Sequence, residues 1–205
     1  MNAIRLYRHP LSGHAHRAEL FLSILRLPFE RIDVDLAARA HKSTEFLRKN
    51  PLGQVPVIED GDVTIADSNA ILVYLAARYD ESGQWYPRDP VAAAQVQRWL
   101  AIAAGQLASG PAAARIAKVF GANIDYERAT QITAHLFDVM DRHLADNDYF
   151  AGPSATIADV ALYSYTAHAP EGGIDLGAYG HIRSWLARIE ALDGFVPMKR
   201  TPLAA

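Results

Sequence analysis

The chain of 205 residues contains no cysteine. That absence excludes disulfide stapling, thiolate-ligated zinc and any redox cycle that runs through a protein thiol. No uninterrupted apolar stretch approaches the ~18 residues that a membrane-spanning helix needs. The N-terminus enters a strand-like run at Ile4 without the basic start, apolar core and cleavage site of a secretory signal, so the expected location is the cytoplasm. Neither sign of charge dominates: 20 Lys and Arg stand against 23 Asp and Glu, a net charge of −3. Without a long basic or acidic block, nucleic acid and anionic membrane are not expected partners. No Gly-x-Gly-x-x-Gly, phosphate-cradling glycine loop or His-Glu-x-x-His follows the strands, so dinucleotide and zinc-hydrolase chemistry lack their signatures. What remains is an ordinary globular composition, 50% hydrophobic and 21% charged, long enough for one large domain or two small ones.

The first 80 residues alternate in element type. Ile4–Tyr7 reads as a short strand stopped by Pro10, Ser12 and Gly13. From His14 to Leu27 the positions Leu20, Phe21, Ile24 and Leu25 keep helical spacing, and Pro28 is the expected stop. Phe29–Leu36 alternates as a strand, and Arg39–Asn50 reads as a loop with a short helix. Val55–Glu59 and Asp62–Ile65 flank Asp60-Gly61, a strong hairpin signal. Asp67-Ser68 then caps a helix with a stripe of Ile71, Leu72, Leu75 and Tyr79. The order β-α-β-α-β-β-α predicts one sheet with helices packed on it.

The polar segment Asp80–Asp89 marks the expected boundary between domains at 1–80 and 88–205. Beyond it strand signals nearly vanish. Val96, Trp99, Leu100, Ala103 and Leu107 predict one helical face, and Ile132, Leu136, Val139, Met140 and His143 another. Thr156 and Asp159 form a capping-box pattern before an apolar run. Ile182, Trp185, Leu186 and Ile189 mark a last helix over 179–192.

Four segments carry the chemistry. They are Tyr7-Arg8-His9-Pro10-Leu11-Ser12-Gly13-His14, His41-Lys42-Ser43, Asn50-Pro51-Leu52-Gly53-Gln54-Val55-Pro56-Val57 and Asp67-Ser68-Asn69-Ala70-Ile71. In order and spacing they resemble the cytosolic glutathione transferases, and most closely the serine-type, phi-like members. The resemblance covers nearly the whole chain, and Thr156–Leu162 looks like the family's folding motif in the helical half. It implies a thioredoxin-like α/β domain followed by an all-α bundle, usually in a homodimer. Glutathione would be a co-substrate, with no bound cofactor and no metal.

The resemblance makes Ser12 the catalytic residue. A free thiol has a pKa of roughly 8.5, so only about 3% is thiolate at pH 7. A hydroxyl donated to sulfur, with the positive end of the following helix, favours the charged form. Lowering the pKa to about 6.5 raises the thiolate to roughly three quarters, equivalent to about 2.7 kcal/mol. Read locally, Ser12 is more readily a helix cap, and only the whole-chain resemblance reverses that preference. Tyr7 is the rival activator, since other classes of the family use a tyrosine near the end of the first strand. Gly13 occupies the place of the beta-class cysteine.

The same resemblance assigns the glutathione contacts. Val55 presents backbone groups to the cysteinyl unit before a cis-Pro56, in the manner of an added strand. Asp67 and Ser68 take the γ-glutamyl end at a helix N-terminus. His41, Lys42 and Gln54 hold the glycine end, Lys42 by charge. The walls for a small hydrophobic electrophile are expected from Tyr7, Leu11, Arg115, Phe120 and Tyr163. Arg115, alone on an apolar helix, is expected to reach solvent. His14 and His16 could line the cleft, although histidines at a helix start are more often surface residues. The leading activity is conjugation of glutathione to an electrophilic carbon, as in detoxification. Glutathione-dependent peroxidase chemistry and a non-catalytic binding or stress-regulatory role are the alternatives.

Overall fold

A computed structural model describes residues 3–202. Strand β1 (Ile4–Arg8), helix α1 (Gly13–Ile24) and strand β2 (Phe29–Asp33) form a β-α-β unit, whose two strands pair in parallel. A 3-10 turn at Ala40–Lys42 and helix α2 (Thr44–Lys49) lead to the hairpin β3 (Val57–Asp60) and β4 (Val63–Ala66). The sheet order is β2-β1-β3-β4, with β3 antiparallel to both neighbours. Helix α3 (Ser68–Tyr79) closes this unit, and residues 80–89 carry no helix or strand. The rest is helical: α4 (Pro90–Ala104), α5 (Ala113–Phe120), α6 (Tyr126–Asp146), α7 (Ile157–Ala167) and α8 (Gly180–Glu190). This is a thioredoxin-like α/β domain followed by an all-helical one.

The period-2 alternation of β1 decides which residues serve which face. Ile4 and Leu6 point into the main core with Leu20, Phe21, Ile71 and Leu75 from α1 and α3. Tyr7 points the other way, into a small cluster with Val34, Phe46 and Val57 beneath α2. The main core does not stop at the domain boundary. It runs from the sheet through α1 and α3 into α7, where Val160, Ala161 and Leu162 join it.

Two expected elements are shorter than their patterns. Helix α1 ends at Ile24, before Pro28, because Arg26 turns into the left-handed region at φ 53°. Strand β2 stops at Asp33, so the alternation through Leu36 overran it. The hairpin loop is Gly61-Asp62, one residue on from the Asp-Gly signal, with Asp60 paired to Val63. Gly61, at φ 59°, takes the left-handed turn. In α6 the buried stripe is Thr133, Leu136, Phe137, Met140 and Leu144, rotated slightly from the expected face.

The capping box at α7 is present. Thr156 Oγ1 accepts from the Ala158 N–H at 3.2 Å, and Asp159 Oδ2 accepts from the Thr156 N–H at 2.9 Å. Asp159 is fully buried, and its other oxygen accepts from Phe150 N at 3.1 Å and Trp185 Nε1 at 3.0 Å. With the Thr156 hydroxyl, which donates to Oδ2 at 3.2 Å, four donors compensate the desolvation of one carboxylate. They fix α7 to α8 and to the loop before α7.

Candidate active site

A cleft of about 720 Å³ lies between the two domains. One side comes from the loop before α1, from residues 50–56 and from the start of α3. The other comes from α5 and from Tyr165 of α7. Ser12, Leu11, His41, Lys42, Gln54, Val55, Pro56, Asp67, Ser68, Arg115 and Phe120 all line it.

Ser12 has an extended backbone and is the N-cap of α1, its Oγ accepting from Ala15 N at 3.2 Å. A cap uses a lone pair, so the hydroxyl proton stays free to donate into the cleft. Capping and donation are therefore compatible, and the first turn of α1 adds its unpaired N–H groups. Gly13 lets this turn sit against α7: a Cβ there would stand 2.7 Å from the Tyr165 ring.

At one end of the cleft Lys42 Nζ donates to the Leu52 carbonyl at 2.9 Å, leaving two of its three donors. His41 Nδ1 is buried without a hydrogen-bond partner among the described residues. Gly53, at φ 59°, holds this corner tight, since a Cβ would meet the His41 carbonyl at 2.7 Å. In the middle, the Val55–Pro56 bond is cis, and Asn50 Nδ2 holds the Gln54 carbonyl at 2.8 Å.

At the other end Asp67 caps α3 through one oxygen, which accepts from Asn69 N at 2.9 Å and Ala70 N at 3.0 Å. Its φ of 76° is costly for a residue with a Cβ, on the order of 1–3 kcal/mol. Ser68 beside it is buried and bonded to two side chains of α1. Arg17 Nη1 donates to its Oγ at 3.1 Å, and His14 Nδ1 lies 3.2 Å away.

Tyr7 and Tyr163 lie outside the cleft, contrary to expectation. The Tyr7 hydroxyl donates to Glu59 Oε2 at 2.8 Å, and burial with that carboxylate raises its pKa. Strand alternation packs it, half-buried, against α2 and away from the cleft. Tyr163 is in the core, donating to Glu190 at 2.9 Å. Tyr165 takes its place at the cleft, because residues two apart on a helix face nearly opposite ways.

Arg115 does not reach solvent. It is 1% exposed, with Nε donating to Glu171 at 2.7 Å and Nη1 to the Leu11 carbonyl at 2.9 Å. Its Nη2 is buried without a partner among the described residues. A wide π-turn at Ala108–Ala112 absorbs Pro111, whose missing N–H and ring would break an α-helix. That turn sets the direction of α5 and so brings Arg115, Ile116 and Phe120 to the cleft.

His14 lines the cleft, as one of the two readings had it, while His16 is buried and does neither. Burial and the Arg17 charge push His14 down to about 3. Burial pushes His16 down to about 4, where it bridges Ser164 Oγ and the Val196 carbonyl, each at 2.9 Å. Arg17, absent from the sequence reading, is 1% exposed. Burial lowers it to about 10, so it stays charged at neutral pH. Asn50, Ile116 and Tyr165 were likewise missed as lining residues. Only the first sits inside a motif that pointed to the site.

The cleft thus combines the Ser12 hydroxyl and polar residues from the α/β domain with the apolar side chains of Leu11, Ile116, Phe120 and Tyr165. The description "Glutathione S-transferase, N-terminal domain" matches residues 2–77, and "Glutathione S-transferase, C-terminal domain" matches residues 99–193. The chain is 31% identical to glutathione S-transferase 3 of Zea mays, covering 95% of this chain and 92% of that protein. It is 32% identical to glutathione S-transferase theta-1 of Mus musculus, over 93% and 84%. Among solved structures, glutathione S-transferase from Pseudomonas fluorescens superposes with a TM-score of 0.88 at 32% identity, covering 96% of this chain and 99% of that one. A glutathione transferase homologue from Drosophila mojavensis with bound glutathione superposes at 0.84 and 30% identity, over 94% and 89%. The chain belongs to the glutathione S-transferase family.

Proposed function

We propose that the protein is a serine-type, phi-like glutathione transferase that conjugates glutathione to small hydrophobic electrophiles. The observation that carries this reading is Ser12, which caps α1 through a lone pair and keeps its proton for a ligand in the cleft. Glutathione would lie from His41, Lys42 and Gln54, past the Val55 backbone, to Asp67 and Ser68. Its sulfur would accept from the Ser12 hydroxyl. The thiolate attacks the electrophilic carbon, an S–C bond forms and the leaving group departs with its electron pair. The protein supplies thiolate stabilisation and proximity, and no metal or cofactor is required. Leu11, Ile116, Phe120 and Tyr165 form the apolar side for the second substrate.

Ultraviolet titration of the thiolate of bound glutathione tests this. The wild type is expected to show a pKa well below that of free thiol. Ser12→Ala should raise it by one to two units and slow turnover about 10- to 100-fold. An unchanged pKa on substitution removes Ser12 from the mechanism.

The reading includes a homodimer. An apolar groove on the outer side of α3 and α4, lined by Val73, Tyr74, Leu100 and Ala101, supports it. Sedimentation as a single chain at micromolar concentration would remove this part.

A further inference from the structure

Helix α7 carries two tyrosines buried to the same extent, each 3% exposed, and they differ in one respect. Tyr163 gives its proton to Glu190 at 2.9 Å, just as Tyr7, Tyr74, Tyr79 and Tyr126 give theirs to other protein acceptors. The Tyr165 hydroxyl has no acceptor among the described residues, and its side chain lines the cleft. Packing fixes the ring from three sides. Gly13 brings the first turn of α1 so close that a Cβ would stand 2.7 Å from the ring carbon that bears the hydroxyl. His14 meets the ring edge-on with centroids 5.0 Å apart, and the Arg17 guanidinium lies 5.6 Å from the ring centre. Burial raises the pKa of the phenol against the charges of Arg17 and Arg115 and the N–H groups of His14 and Gly13, so the hydroxyl keeps its proton at neutral pH. A buried donor without a protein acceptor is a costly arrangement, normally met where water or a ligand completes it.

We infer that Tyr165 is a second catalytic residue, whose hydroxyl donates beside that of Ser12 to the sulfur of bound glutathione. The inference rests on the glutathione reading above. Both hydroxyl oxygens are held at the same helix start. Ser12 Oγ accepts from Ala15 N at 3.2 Å, and the N–H groups of Gly13 and His14 act on the Tyr165 oxygen. What each has left for a ligand is its proton, and the two side chains meet the cleft next to Gly13. A thiolate is a large, diffuse anion that accepts from more than one donor, and each hydrogen bond to the charged form favours ionisation. A phenol is also a stronger donor than an aliphatic alcohol. No hydrogen bond from the Tyr165 hydroxyl to the protein has to break when the sulfur arrives. Both hydroxyls keep their protons throughout. The thiol proton passes to solvent, and the electron pair left on sulfur forms the S–C bond. Because Tyr165 belongs to α7 and Ser12 to the loop before α1, the thiolate site is completed by both domains.

Ultraviolet titration of the bound thiol in the wild type, Tyr165→Phe, Ser12→Ala and the double variant tests the proposal. Tyr165→Phe keeps the ring against Gly13, His14 and Arg17 and removes only the hydroxyl. It is expected to raise the thiol pKa by about one unit, a roughly tenfold loss of thiolate at any pH below both values. Ser12→Ala should leave part of the depression in place, and the double variant should bring the thiol close to its free value. Calorimetric binding of S-methylglutathione, which has no thiol to ionise, should change by less than about twofold in Tyr165→Phe. A depressed wild-type pKa that Tyr165→Phe leaves unchanged overturns the inference while leaving the glutathione reading intact. So does a return to the free value in Ser12→Ala alone. Turnover lost in Tyr165→Phe at an unchanged pKa also overturns it, by giving the hydroxyl to the electrophile. Failure of the wild type to bind S-methylglutathione at millimolar concentration overturns that reading, and the inference with it. If Tyr165→Phe does not fold, 3-fluorotyrosine at position 165 asks the question from the other side. This more acidic phenol of nearly the same shape should lower the thiol pKa below that of the wild type, and a rise or no change refutes the second donor.

Discussion

His16 shows how one buried side chain makes stability depend on pH. Its two nitrogens are held by Ser164 in α7 and the Val196 carbonyl in the C-terminal segment, and burial keeps the ring neutral down to about pH 4. Below pH 6.5 the unfolded chain binds a proton that the folded chain refuses until about pH 4. Stability from this residue is therefore present above pH 6.5 and is lost as pH falls through that window. The two pKa values give a loss of about 2 kcal/mol between pH 7 and pH 5. His16→Gln, which does not titrate, is expected to flatten the stability profile over that range by about this amount in urea unfolding. An identical slope in the variant would show that His16 is not the group responsible. His14, held at about 3, adds acid lability of the same sign. It should place no inflection of its own in a turnover profile between pH 5 and 8.

Element by element, the sequence was legible where a single period or cap governed the backbone. The parallel β-α-β start, the hairpin, the Asp67 cap and the Thr156–Asp159 box all follow from local rules, and the structure carries each of them. Legibility failed where the deciding contact came from elsewhere in the chain. Leu25 and Leu27 continue the apolar character of α1, yet Arg26 adopts a left-handed backbone and the helix ends before Pro28. Tyr163 and Tyr165 are both aromatic residues on one apolar helix. Only the packing of α7 against α1, which places Tyr165 over Gly13, decides which one meets the cleft. Tyr7 stands at the right distance from Ser12 in sequence to be its rival. Strand alternation sends it beneath α2, a consequence that depends on which face of β1 receives α1. The segments that line the cleft were legible because each is a short local constellation. Arg17 was not, because an arginine inside an apolar helix looks like a solvated side chain until Ser68, fifty-one positions away, is packed on it.

At the scale of the whole molecule, the helical domain holds the loop that carries Ser12 through Arg115. Its guanidinium bonds the carbonyl of Leu11, the residue before Ser12, and its charge is balanced by Glu171 in the turn after α7. Burial works to raise the pKa of Glu171, but hydrogen bonds from Thr201, His168 and Arg115 overcome it, so the carboxyl is held below its ordinary range and stays ionised. Thr201 brings the C-terminal segment onto the same carboxylate through Oγ1 at 2.6 Å. One buried ion pair thus joins α5, the turn after α7, the C-terminal segment and the loop that carries Ser12. Arg115→Met keeps most of the volume but strands the carboxylate, and should cost about 3–5 kcal/mol of stability. Adding Glu171→Gln removes the stranded charge and keeps an acceptor for Thr201, so the double variant should recover part of that loss. Neither form restores the bond to Leu11. Turnover at saturating glutathione should therefore stay depressed in both variants, although stability differs between them. Urea unfolding and steady-state kinetics on the two variants separate these effects. Turnover that recovers in step with stability would mean that Arg115 acts only as a structural ion pair. Turnover that stays low while stability returns would place the control of Ser12 in the contact from α5 to the Leu11 carbonyl.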